Sequence, residues 1–476
     1  MKKVSVEQIV KRVKIENPWW ESGKIPSVYS EFTPRAYLGR FYPLMELKKI
    51  RRATVLMGPR RVGKTVMIHH AIEKLINSGI SPEKIGYFSV DHPLYNGKSL
   101  DELLDIFTIA TGINYEEEEC YIFFDEIQYL KNWEVYLKLI VDRLPNLKCT
   151  VSGSAAAALK LKSSESGAGR FTEFLLPPLT FHEYLDLLDK EYLVTKPEDE
   201  NNFFTSPKIE ELNENFIHYL NYGGYPEVIF SEIIQSDPGR FIKSDIIDKV
   251  LLRDLPGLYG IQDIQELNYL FTTLAFNTSN EVSLEELSQG SGVAKNTIKK
   301  YIQYLEAAFL IRSVHRVDRN AKRFKRANYF KVYLTNPSIR SALFSPVLSS
   351  DNEIGSLAET AIYSQWFHSN TLLHYARWKN GEVDIVSIDK RQKVNWAIEV
   401  KWTDRFFQKP FELKSLLQFC HENKMKEGTV TTLTKSGEFL MDNVKLEYVP
   451  TSLYCYTVGY SLVSGKKPKH PGLTIS

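Results

Sequence analysis

The sequence predicts an α/β protein of several domains, and three observations predict it. The apolar run Ala53-Thr54-Val55-Leu56-Met57 reads as a strand that feeds a glycine-bearing loop, Gly58 to Thr65, and then a helix. Two further apolar runs of strand length, 120–126 and 147–152, lie downstream and suit a parallel sheet. Far beyond them, alternating runs at 381–386 and 396–401 flank a polar turn, the pattern of a second sheet.

Length and composition bound the answer. With 476 residues, 43% of them hydrophobic and 25% charged, the chain can bury several cores and should hold two to four domains. A formal charge of +2 makes any basic surface a local matter. Cys120, Cys149, Cys420 and Cys455 lie far apart with no metal-ligand spacing, so buried reduced thiols are expected. No apolar signal core follows Met1-Lys2-Lys3, and no uninterrupted apolar stretch approaches the length of a membrane helix. A cytoplasmic location without a membrane is the expectation.

Residues Gly58-Pro59-Arg60-Arg61-Val62-Gly63-Lys64-Thr65 form a complete phosphate-binding loop between strand and helix. In that setting the loop amides and the helix N-terminus face a phosphate chain together, so a nucleotide is the expected ligand. Lys64 would reach the β- and γ-phosphates as a point charge, and the Thr65 hydroxyl would sit on Mg2+. Met67, Ile68, Ala71, Ile72, Leu75 and Ile76 then recur at helical spacing, with Gly79 as a C-cap.

The run Cys120-Tyr121-Ile122-Phe123-Phe124 ends in Asp125-Glu126. Asp125 would hold Mg2+ through water, and Glu126 would orient and activate the attacking water. Together with the loop, this pair moves the expectation from nucleotide binding to hydrolysis. The third strand, Leu147 to Ser152, runs into Gly153-Ser154-Ala155. Ser154 there either senses the γ-phosphate or simply ends the strand. Arg170, after the stretch Ser163 to Gly169, either supplies positive charge to a phosphate, in cis or in a neighbouring subunit of a homo-oligomer, or is a solvated arginine.

Between Asp189 and Asn215 the chain turns polar and acidic, which reads as an exposed insertion. Amphipathic helical stretches beyond it are expected to form a lid ending near Leu251 to Pro256. Residues 282 to 318 show a helix-turn-helix pattern: Val282, Leu284 and Leu287, a turn at Gly290-Ser291-Gly292, then Ile298, Tyr301, Ile302 and Leu305. Lys295, Asn296, Lys299 and Lys300 lie outside the apolar stripe of the second helix, where a recognition helix presents polar groups to DNA. Arg312, Arg316, Arg319, Lys322, Arg323, Lys325, Arg326 and Lys331 follow, with Asp318 the lone carboxylate among them. They suit a phosphate-contacting wing, making DNA the expected partner through 312–331, or else a solvated face of an interdomain packing module.

In the C-terminal third, Asp384, Glu399 and Lys401 alternate with apolar residues on two strands and would share one face. Clustered acidic oxygens with a nearby cation are what divalent-metal hydrolysis of a phosphodiester needs. Cross-strand pairs on an exposed sheet face give the same pattern. Glu359 lies in the helical stretch Gly355 to Phe367. The basic, proline-rich terminus from Gly465 reads as a tail.

The loop Gly58 to Thr65, Asp125-Glu126-Ile127-Gln128 with Trp133-Glu134, Ser152-Gly153-Ser154, Gly169-Arg170, Pro178 to Tyr184, Gly223-Gly224-Tyr225-Pro226-Glu227 and Asn17-Pro18-Trp19-Trp20 resemble, as an ordered set, the prokaryotic AAA-type ATPases joined to a C-terminal domain of unknown function 4143. The resemblance implies an AAA-type P-loop NTPase sheet, a helical lid, a winged helix and a restriction-endonuclease-like α/β domain. It divides the chain into 1–190, an ATPase domain with an N-terminal extension; 191–275, lid and insertion; 276–335, winged helix; and 336–476, the nuclease-like domain. Asp384 before Glu399-Val400-Lys401 is similar to the nuclease signature. This implies a second Mg2+ or Mn2+ on Glu359, Asp384 and Glu399, with Lys401 as the catalytic cation. Asn336 stands where that family often shows an aspartate. The expected function is ATP hydrolysis coupled to DNA binding and a metal-dependent nuclease, the alternative being a nucleotide-gated switch or scaffold whose nuclease-like domain binds protein.

Overall fold

Five parallel strands form the first sheet: β1 Ala53–Met57, β2 Ile85–Ser89, β3 Cys120–Asp125, β4 Leu147–Gly153 and β5 Phe171–Leu175. The order across the sheet is β2-β3-β4-β1-β5. β1 and β3 are buried along their whole length, as expected of unbroken apolar runs covered on both faces. Helices Lys64–Asn77, Leu100–Thr111 and Trp133–Arg143 make the crossovers. This strand–loop–helix arrangement on a parallel sheet is the P-loop NTPase fold. The computed structural model describes residues 5–46, 50–154, 169–198, 203–322, 328–367, 369 and 371–465. The chain divides into two compact units, Met1–Pro177 and Pro178–Ser476.

The N-terminal segment closes one edge of the first sheet. The Asn17 side-chain amide donates to the Tyr87 carbonyl at 2.8 Å, and its oxygen accepts from the Tyr87 amide at 2.6 Å, as a neighbouring strand would. The indoles of Trp19 and Trp20 both donate to the Ile85 carbonyl, at 3.0 and 2.8 Å. The open edge of β2 is thus answered by side chains instead of a sixth strand.

The second unit is built on one nine-stranded sheet. Its strands are β6 Glu281–Ser283, β7 Ile311–Val317, β8 Tyr329–Leu334, β9 Leu373–Trp378, β10 Gly381–Ile388, β11 Val394–Glu399, β12 Glu427–Thr432, β13 Gly437–Met441 and β14 Val444–Pro450. The order is β13-β14-β12-β11-β10-β9-β7-β8-β6. Helices Phe181–Leu187, Ile209–Tyr222, Ile354–Trp366 and Thr451–Val463 contribute to one apolar cluster, and helix Lys414–Glu422 to another. The expected hairpin is present, β10 and β11 pairing antiparallel with Ile385 opposite Ile398.

Three expectations differ from this arrangement. The polar stretch up to Asn215 is not all an exposed insertion: Phe204 lies 5.0 Å from the rings of both Tyr456 and Tyr460, and Leu212 is fully buried. Aromatic anchors, not mean polarity, decide the path there. The helix Ile209–Tyr222, expected in a lid, packs in the second unit with Trp366 and Tyr454. The helix-turn-helix, Leu284–Ser291 and Lys295–Ala307 joined at Gly292, is followed by the hairpin β7–β8, with β6 pairing on β8. That small sheet is not separate, because β7 pairs in parallel with β9.

Candidate functional site

The phosphate loop sits at the C-terminal end of β1. Gly63, at φ 91°, turns the chain through the left-handed region into the helix Lys64–Asn77. Gly58 lies against the residue that follows β5: a Cβ there would meet the Leu176 carbonyl oxygen at 2.1 Å. Lys64 is buried, and its ammonium donates to the carbonyls of Gly58 at 3.1 Å and Pro59 at 2.8 Å. Thr65 Oγ1 donates to Asp125 Oδ2 at 2.6 Å, so the two residues expected on Mg2+ already touch. Asp125 is further held by the Tyr87 hydroxyl at 2.9 Å, the Ser152 hydroxyl and the Glu126 amide at 3.1 Å.

Strand order explains why Ser154 belongs here. β4 lies between β1 and β3, so the residues leaving it stand between the loop and Asp125-Glu126. The Ser154 hydroxyl is buried with no hydrogen-bond partner among the described residues, and its amide donates to Gln128 Oε1 at 3.3 Å. Gln128 in turn donates to the Glu126 carboxylate. Glu126 takes a left-handed backbone, φ 57°, a strain of the kind found at functional sites. Burial raises its carboxyl above the ordinary range, against the pull of Lys64.

Arg170 is placed elsewhere. Its carbonyl accepts from Ala53, the entry end of β1, and its guanidinium pairs with Asp142 at 3.1 Å. It therefore stands at the end of the sheet opposite the phosphate loop, which corrects the in-cis phosphate role. Gln128, part of the Asp125 to Gln128 motif but given no role by it, and Arg35, outside every motif, are further residues of the site. Arg35, buried, donates to the carbonyls of Val62 at 3.0 Å and Pro177 at 2.8 Å, bracing the loop from outside the motif.

The C-terminal acids converge. Lys401 Nζ lies 2.8 Å from Glu399 and 3.6 Å from Asp384, whose Oδ2 also accepts the Val400 amide at 2.8 Å. Glu359, from helix Ile354–Trp366, accepts from Lys331 at 3.1 Å and from the Tyr333 hydroxyl at 2.5 Å. Burial pushes the Glu359 carboxyl up to about 7 despite Lys331, and raises Glu399 too, with Asp384 adding to the effect. Lys401 stays firmly charged, because Asp384 and Glu399 outweigh its burial. The donor set suits a hard cation, and Glu399 Oε2 is buried without a hydrogen-bond partner among the described residues. Yet no three metal-binding side chains stand together as a ready cage among the described residues. Asn336 is fully buried, accepting from the Ser338 amide at 2.9 Å.

Among the described residues of the basic segment, Arg316, Arg319 and Lys331 are ion-paired. Arg316 faces Glu281 at 3.6 Å and Arg319 faces Glu422 at 3.0 Å, while Arg312 and Lys322 are exposed. Lys331, expected on a phosphate-contacting wing, is buried among Glu359, Glu382 and Asp384, a correction set by strand alternation. Arg323, Lys325 and Arg326, like Ser163 to Ala168 and the tail from 466, lie outside the described residues. On helix Lys295–Ala307 the side chains of Lys295, Asn296, Lys299 and Lys300 are exposed, with Lys295 paired to Glu285.

Residues 50–185 match the family model described as an AAA domain. The chain carries an AAA-type ATPase domain. ATP is the nucleotide that this match implies, typically with Mg2+. Residues 213–350 match the model of domain of unknown function 8612, which corrects the expectation of domain 4143; the acids from Glu359 onward lie outside both matched stretches. An uncharacterized protein of Methanocaldococcus jannaschii is 26% identical over 418 residues, covering 85% of this chain and 83% of its own. An uncharacterized protein of Haemophilus influenzae is 26% identical over 61% of this chain and 69% of its own. Superposition on the Thermotoga maritima RuvB Holliday junction branch migration motor, 17% identical over 58% of this chain and 86% of that one, reaches a TM-score of 0.27, too low to carry an argument. Among the described residues no helix is long and apolar enough to cross a membrane.

Proposed function

We propose that ATP hydrolysis in the first unit drives a second unit that engages DNA through its helix-turn-helix and cuts it at a divalent-cation site. In the first unit, the loop amides and Lys64 hold the β- and γ-phosphates, Thr65 and Asp125 hold Mg2+, and Glu126 takes the proton of the attacking water. Ser154 offers its hydroxyl toward the γ-phosphate, and Gln128 keeps the Glu126 carboxylate oriented. Bound by Thr65 and Asp125, Mg2+ would supply positive charge against that developing on the phosphates. A homo-oligomer is part of this proposal, with Arg170 facing a neighbouring copy, as is a cytoplasmic setting.

In the second unit, Glu359, Asp384 and Glu399 would hold Mg2+ or Mn2+, which polarises the phosphodiester, while Lys401 stabilises negative charge as it forms. The single observation behind this half is that Asp384 and Glu399 share Lys401 while Asp384 and Glu359 share Lys331, which gathers acids from a helix and two strands, with one Glu399 oxygen lacking a hydrogen-bond partner among the described residues. The winged-helix reading is supported by the exposed Asn296, Lys299 and Lys300 on the second helix. The test is cleavage of single- and double-stranded DNA and of RNA with Mn2+ and ATP by the full chain and by Glu399→Ala. Cleavage lost in the variant is expected; equal cleavage by both, or none on any nucleic acid, refutes the nuclease.

A second reading, a nucleotide-gated switch whose acidic domain recruits a partner, is favoured by one observation. Lys331 and Lys401 already neutralise part of the acidic cluster without any cation.

A further inference from the structure

We propose that Lys331 is the internal counter-ion of the acidic site, a specificity residue that a divalent cation must displace, so that cation affinity is set from the helix-turn-helix hairpin. This rests on the reading of Glu359, Asp384 and Glu399 as cation ligands.

Lys331 enters from β8, the second strand of the hairpin that follows the helix-turn-helix. Its ammonium lies 2.7 Å from Glu382, 3.1 Å from Glu359 and 4.0 Å from Asp384, at 4% side-chain exposure, with the Tyr375 ring centred 5.3 Å away. The position is therefore built, with an aromatic wall and three acidic neighbours.

Charge and distance together make the site exclusive. With Lys401 in place and all three carboxyls ionised, as cation binding requires, Glu359, Asp384 and Glu399 keep two negative charges uncompensated. Lys331 answers one of them; a divalent cation answers both. Mg2+ needs carboxylate oxygens at about 2.1 Å. An ammonium 3.1 Å from Glu359 stands on that side of the cluster, so cation and ammonium cannot share it. Glu382, the most exposed of the three partners at 32%, gives the ammonium a place to retreat on its own flexible stem. Glu399 Oε2, without a hydrogen-bond partner among the described residues, is the oxygen that Lys331 leaves unanswered.

The experiment titrates Mn2+ alone into the full chain without nucleic acid, reading free Mn2+ by electron paramagnetic resonance, for the parent, Lys331→Gln, Glu382→Gln and Glu399→Ala. Lys331→Gln should bind Mn2+ about tenfold more tightly, since a competing buried charge is removed. Glu382→Gln takes away the retreat and should bind several-fold more weakly; its partly exposed position keeps the test usable if Lys331→Gln does not fold. Parent-like affinity in a folded Lys331→Gln, or in Glu382→Gln, overturns the counter-ion proposal while Glu399-dependent binding upholds the site. If Glu399→Ala binds Mn2+ as the parent does, or no protein binds it, the cation site itself falls and the proposal with it.

Discussion

Replacing Gly58 by alanine tests whether the phosphate loop is held in shape by its neighbours. The new Cβ would stand 2.1 Å from the Leu176 carbonyl oxygen, 3.2 Å from its carbonyl carbon and 3.3 Å from Val62 Cγ2. Carbon and carbonyl oxygen rest at roughly 3.3 Å, so the two segments must part by about 1 Å. Leu176 is poorly able to yield: its amide donates to Met57 at 2.7 Å, and Arg35 ties the next carbonyl, Pro177, to Val62. The loop therefore moves, and a displacement near 1 Å at a catalytic centre costs about 100-fold in rate. Overpacking should also take roughly 1–3 kcal/mol from stability. Steady-state phosphate release and binding of a fluorescent ATP analogue, both at saturating Mg2+, read the effect. Turnover within about twofold of the parent, in a folded protein, would refute the argument that this contact shapes the loop.

Three further outcomes are expected. Glu126→Gln should retain ATP binding and lose turnover by about 100-fold or more, as removal of a positioned base does, and parent-like phosphate release would sink its assignment. Asn17→Ala strips the edge of β2 of both bonds to Tyr87 and should lower stability by roughly 2–4 kcal/mol, with faster amide exchange at Tyr87; an unchanged melting temperature would show that water replaces them. Glu447, on β14, has its carboxyl raised to about 7, mainly by burial and further by Glu438 and Glu427 against Lys445. The folded state thus prefers it neutral, and parent stability falls as pH climbs from the ordinary 4.5 to about 7, then levels. Glu447→Gln should match the parent near pH 4 and exceed it by roughly 1–2 kcal/mol at pH 8, allowing for screening at a partly exposed group; an equal difference at both pH values would refute the cause.

The nucleotide half of the candidate site was legible because its chemistry is local: eight consecutive residues build the loop, and Asp125-Glu126 close one strand. The choice between the two readings of Arg170 is made by the sheet. All five strands run the same way, so a residue leaving a strand, such as Ser154, lies at the loop end, and one entering a strand, such as Arg170, lies at the other. Arg35, Asn17 and Gln128 act through side-chain bonds to backbone or to one another, and nothing in their neighbours in sequence announces those partners. Lys331 was hidden by company: in a run of cations it reads as one more, whereas in β8 it bonds Glu359 together with Tyr333, two residues on. Phe204 and Leu212 show the converse, apolar anchors within a polar stretch whose average suggests solvent.

The pairing of β7 with β9, His315 against His374 through Val317 against Ala376, makes mechanical sense of the second unit. A parallel ladder loaded along its strands must break its hydrogen bonds together, not one by one, so it bears shear like a glued joint. Tension applied at the helix-turn-helix would pass through β7 and β9 to β10, where the ladder is interrupted between Val383 and Val386, the stretch that carries Asp384. One continuous sheet therefore joins the helix-turn-helix hairpin to the strand of Asp384, so a load on the first is felt at the second.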